Sequence, residues 1–143
     1  MSIDRELGEI VDRTVAALNR LVAGDPTPFQ ALYSPTADVT VFGGFGAYER
    51  GWEQVSRNVA FAASRFRGGQ LEIEPLASGT SGDLAYTVWI ERGEVRVDGR
   101  DEPGPLAVRV THIFRREGGA WKLIHRHGDP IVEQTEATAV LQR

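Results

Sequence analysis

The chain holds 143 residues, 41% hydrophobic and 25% charged, with a formal net charge of −4, an ordinary balance for one globular domain with a core of its own. The absence of cysteine excludes disulfides, thiolate metal sites and a cysteine nucleophile. Charges of both signs are mixed along the chain, which offers no basic face to nucleic acid, and no apolar run approaches the roughly 18 residues of a membrane span.

The opening residues, MSIDRELGEI, read as no secretory signal, so a cytoplasmic protein is expected. Ser2 is placed to cap a helix whose first turn carries Asp4 and Glu6. Leu7, Ile10, Thr14, Leu18 and Leu21 then fall at helical spacing until Gly24 and Pro26 stop the helix. A shorter helical stretch covers Pro28 to Tyr33. Val39 to Phe42 reads as a short strand, broken by Gly43, Gly44 and Gly46, with Tyr48 to Arg50 as its return. A third helix follows Gly51, with Trp52, Val55, Val59, Ala62 and Phe66 as its apolar stripe. The second half is all strand: Leu71–Ser78, Leu84–Val97, Leu106–Arg116 and Ala120–His127. The second of these is long enough to predict a bend or bulge. Residues 1–130 are expected to form one domain, and 131–143 a partly ordered tail. Helices before an antiparallel meander predict an α+β fold, three helices on the concave face of a bent sheet.

Several local motifs resemble the nuclear transport factor 2-like superfamily, in particular its SnoaL-like and ketosteroid isomerase-like branches. They are Leu21-Val22-Ala23-Gly24-Asp25, Tyr33-Ser34-Pro35-Thr36-Ala37-Asp38-Val39, Tyr48-Glu49-Arg50-Gly51-Trp52, Arg109-Val110-Thr111, and the run from Arg116 through Trp121 to His127. The resemblance spans about residues 5 to 130 and implies a cone closed by helices, with a pocket inside. It does not carry over a steroid isomerase's chemistry. The carboxylate base falls near Gly43, the oxyanion tyrosine near Ala17 and the oxyanion aspartic acid near Thr111, so all three roles are vacant.

Strand alternation sorts the remaining polar residues by face. His125 and His127 share parity with Trp121 and Leu123 and are expected to point inward. Arg109 shares parity with Thr111, and the resemblance implies that Thr111 faces inward. Glu91, of the same parity as Trp89, is the expected partner of a buried Arg109. Three arrangements fit this cluster. One is a structural ion pair; another is a ligand site with Arg109 holding an anion and His125, His127 or Glu91 as acid or base. The third is a metal site, against which an arginine in the same cavity counts. No metal and no cofactor are expected: the glycines at 43, 44 and 46 are not followed by a phosphate-loop Lys-Ser/Thr, and no G-x-S-x-G is present. Tyr48, Trp52 and Phe42 are candidate walls of a hydrophobic pocket mouth, with Arg109, Thr111 and Trp89 further in.

Val108, Val110, His112 and Phe114 are then expected on the outer sheet face, too apolar for open water and suited to a homodimer. Two functions stay open. One is a SnoaL-like domain binding a small organic or cyclic molecule in the cone, with cofactor-independent acid–base chemistry of an isomerase, cyclase or dehydratase type if it is an enzyme. The other is a non-catalytic dimerisation or scaffold domain whose cone is simply its core.

Overall fold

A computed structural model describes residues 2–142; the side chains of residues 2–4, and so the expected Ser2 cap and the place of Asp4 in the first turn, lie outside the described residues. Helix α1 runs Ser2–Val22 and buries Leu7, Ile10, Ala17, Leu18, Leu21 and Val22 along one stripe. Thr14 lies within that stripe because its hydroxyl donates to the Ile10 carbonyl one turn back at 2.6 Å. A short α2 (Thr27–Gln30) tucks Phe29 into the core, and α3 (Trp52–Ser64) buries Val55, Val59 and Ala63.

The six strands are β1 (Thr40–Phe42), β2 (Tyr48–Arg50), β3 (Phe66–Ser81), β4 (Leu84–Val97), β5 (Gly104–Glu117) and β6 (Ala120–Pro130). They form one sheet in the order β2-β1-β6-β5-β4-β3, antiparallel except where β1 lies parallel to β6. The three helices cover its concave side, the α+β cone expected from the element order.

Two departures from the expected strands matter. The irregularity expected in β4 falls on its neighbours: β4 pairs with β5 without a break, while β3 shifts register between Phe66 and Gly69 and between Pro75 and Ala77. β4 and β3 come so close at Gly93 that a Cβ there would collide with the Gln70 carbonyl. The other departure is in β6. Phe114 pairs with Leu123, but Ile113 pairs with His125, so Ile124 is an extra residue. This β-bulge reverses the facing of everything after it. Beyond Pro130 the chain hydrogen-bonds once to β5, Ile131 N–H to the Ala107 carbonyl at 2.9 Å, and ends in a 3-10 turn at Ala137–Val140.

Candidate functional site

Facing decides the site. On β5 the inward set is Val108, Val110, His112 and Phe114, with Val110, His112 and Phe114 no more than 2% exposed. This corrects the expectation for both faces of that strand. The more apolar alternation seeks the core, and Arg109, Thr111 and Ile113 point to the convex side. The Arg109 side chain is 62% exposed and grips Asp129 through Nε and Nη2, each at 2.8 Å.

The bulge at Ile124 does the same to the histidines. Trp121 and Leu123 face inward as expected, but His125 and His127 do not share their face. His125 Nδ1 and Thr40 Oγ1 are hydrogen-bonded at 2.7 Å, and His127 lies 3.5 Å from Asp129 on the convex side. Phe42, 45% exposed, stands edge-on to both imidazoles, and Tyr48 beside it is 76% exposed. Trp52 packs behind Tyr33, ring centroids 6.2 Å apart. Of the expected site residues, Glu91 lines the interior cavity and Trp89 supports it from the core; the others lie elsewhere.

The residue that the bulge turns inward is Arg126. Glu91, 2% exposed, accepts from Arg126 Nη1 and Nη2 at 2.9 Å each and from Trp89 Nε1 at 3.0 Å. Arg126 Nη1 also lies 3.0 Å from His112 Nε2, and its guanidinium stands 5.4 Å from the Phe29 ring centroid. Burial alone would pull the Arg126 guanidinium down, but the Glu91 charge and hydrogen bonds more than offset it and leave Arg126 above its ordinary value. Burial first, then the Arg126 and His125 charges, hold His112 well below its usual range. His112 is therefore neutral. Its Nε2 accepts from Arg126, which leaves the proton on Nδ1, 3.3 Å from Thr87 Oγ1.

This network sits at the inner end of a cavity of about 470 Å³, within the usual range for small-molecule sites. Leu18, Leu21, Val22, Val41, Val59 and Leu71 make apolar walls, and Phe45, Arg57 and Phe61 stand at the rim. Tyr33 also lines the cavity, 3% exposed, its hydroxyl without a hydrogen-bond partner. Burial pushes that phenol well above its ordinary value, with the Arg126 charge opposing and the Glu91 charge adding, so it stays a donor. Among the described residues no group of three His, Cys, Asp or Glu is set to hold a metal ion.

The model of the SnoaL-like domain matches residues 10–133. The chain belongs to the SnoaL-like domain family. No curated protein sequence matches it. Among solved structures, a nuclear transport factor 2-like superfamily protein from Salmonella enterica superposes with a TM-score of 0.80 at 17% identity, covering 95% of this chain and 96% of that one. A provisionally named dehydratase of the nuclear transport factor 2-like family from Streptomyces avermitilis gives 0.74 at 22%, over 90% and 95%. A ketosteroid isomerase-like protein from Erwinia carotovora gives 0.73 at 19%, over 89% and 97%. At these identities the likeness is one of fold.

Proposed function

We propose that the cone binds a small, mainly apolar organic molecule, with acid–base chemistry of the isomerase, cyclase or dehydratase kind as the finer reading. The observation that carries it is the cavity itself. A scaffold domain gains nothing from about 470 Å³ of unfilled space, because close packing there would add stability. Glu91 and Arg126 at its inner end form a polar anchor in an apolar shell, the usual composition of a ligand site. Glu91 holds three hydrogen bonds already. Arg126 keeps two N–H groups to spare, suited to orient and polarise an oxygen.

The test is occupancy. Native mass spectrometry of protein purified without added ligand should show an adduct, and a neutral apolar dye should bind with a stoichiometry of one. Ala62→Phe projects a ring from α3 into the cavity and should abolish dye binding while the protein still melts cooperatively. Retention of dye by that variant would refute the binding reading.

We propose separately that the chain forms a homodimer through the convex sheet face. The support is Phe42 and Tyr48, paired with each other and exposed at 45% and 76%, and Tyr86, paired with Ile113 and exposed at 44%, in place of Val108, Val110, His112 and Phe114, which face the core. Sedimentation should give twice the 15.7 kDa chain mass, and Tyr86→Arg should shift it toward monomer. A wild-type monomer at micromolar concentration would end this reading.

A further inference from the structure

The charges that line the cavity do not balance. Its charged residues are Glu49, Arg57, Glu91 and Arg126. At the inner end Arg126 and Glu91 neutralise each other. At the rim Arg57 is committed to Glu53, one turn back on α3, its Nη2 donating to Oε1 at 2.7 Å. Glu49 is left over. On β2 it stands opposite the inward-facing Val41, and both line the cavity. Its neighbours Tyr48 and Arg50 are exposed, whereas Glu49 is half-buried. Gln54, on the same rim, turns its Oε1 to the Arg50 N–H at 3.1 Å. Among the described residues the Glu49 carboxylate has no hydrogen-bond or ion-pair partner. The cavity therefore carries one uncompensated negative charge, partly withdrawn from water.

Two other features of the mouth suit a cation. Asn58 also lines the cavity, half-buried and without a hydrogen-bond partner among the described residues. It reaches the chain at Gly43, two residues beyond Val41, where a Cβ would stand 3.9 Å from its Oδ1. That oxygen is a neutral acceptor close to Glu49. Phe45 and Phe61 stand edge to face at the same rim, ring centroids 6.0 Å apart. Aromatic faces attract cations, and Phe61 already holds the Arg65 guanidinium 4.7 Å from its centroid.

Charge then selects the ligand. A neutral head group leaves the Glu49 charge uncompensated, and a carboxylate adds a second one. A primary ammonium cancels it and brings three N–H donors. We propose that the cavity selects primary amines with an apolar body, the ammonium paired with Glu49 at the mouth, Asn58 accepting a second N–H, and the hydrocarbon running inward along Leu18, Val22 and Val59. This rests on the small-molecule reading above and deepens it.

Three probes with one eight-carbon chain test it on the full protein at neutral pH: octylamine, 1-octanol and octanoate, each displacing the neutral dye Nile red. Octylamine is protonated there as a lysine side chain is. It should compete at about 3- to 10-fold lower concentration than 1-octanol, the value of one half-exposed charged hydrogen bond, with octanoate the weakest. Glu49→Gln keeps the shape and breaks no bond within the protein, so it should melt where wild type does. It should also bring the amine and the alcohol to about the same concentration. Glu72→Gln removes an equal charge from β3, where Glu72 is exposed and faces away from the cavity-lining Leu71. That variant should keep the amine preference, which separates a local pair from the pull of an acidic chain on any amine. If octylamine and octanol compete equally, if octanoate competes best, or if Glu49→Gln and Glu72→Gln behave alike, this inference falls and the binding reading stands. If Nile red itself does not bind, both fall.

Discussion

Two arginines on adjacent strands each hold a carboxylate by two hydrogen bonds, Arg109 through Nε and Nη2 and Arg126 through Nη1 and Nη2, and the resemblance ends there. Arg109 meets Asp129 on the convex face with side chains 62% and 35% exposed; Arg126 meets Glu91 inside the cone at 16% and 2%. Water can replace either partner outside, so the outer pair is nearly neutral in stability. Inside, each charge depends on the other, because neither can be left alone in an apolar shell. Nearly equal distances, 2.8 Å outside and 2.9 Å inside, therefore describe an ornament of the surface in one place and an obligation of the core in the other.

The largest contrast should come from removing one partner. Arg126→Met strands the Glu91 carboxylate and should cost about 3–5 kcal/mol by chemical denaturation. Adding Glu91→Leu to it should recover most of that loss, because the apolar pair leaves no charge behind. A single mutant as stable as wild type would mean that the inner pair behaves like the outer one.

A smaller effect should separate the regions by pH. His112 is kept neutral in the folded state, whereas in the unfolded chain it takes up a proton near pH 6.5. Below that pH the unfolded state binds the extra proton, so stability should fall as pH drops, by up to about 1.4 kcal/mol per unit for this one group. His125, lowered by burial and by His127, acts in the same direction but is half in solvent and adds less. His112→Gln keeps an acceptor for Arg126 and should flatten the slope between pH 6.5 and 5. An unchanged slope in that variant would move the dependence to the convex face. The smallest effect is expected from Arg109→Ala, which should leave the melting temperature where it was and alter only the salt dependence near Asp129.

The fold was legible because its signals are local. Helical spacing through Leu7 to Leu21, the glycine turn before Tyr48 and the glycine hairpin after Glu117 each settle one element from neighbouring residues. Glu91 was legible too, since Trp89 and Glu91 alternate on a strand that pairs with β5 without interruption. On β5 the apolar run Val108, Val110, His112, Phe114 marks the core side, but an inward Thr111 borrowed from the family resemblance outweighed it. Arg126 was illegible for a different reason. From Trp121 to Pro130 the adjacent apolar pair Leu123-Ile124 is the one break in alternation, and only pairing with a neighbour reveals that Ile124 is the residue to spare. Tyr33 served as a marker of fold, and nothing in sequence shows that a hydroxyl lacks a partner.

The bulge at Ile124 is also a lever on heredity. Substitution alters one side chain at a time, but a single codon gained just after the bulge, with the bulge kept, would exchange two whole sets. Arg126 and Gly128 would rotate out of the cone, and His125, His127 and Asp129 would rotate in. Strands β3, β4 and β5 would need no change. Lineages built on this cone can thus trade a guanidinium for imidazoles in one mutational step, and a comparison that opens a gap there would match side chains that do not occupy the same space.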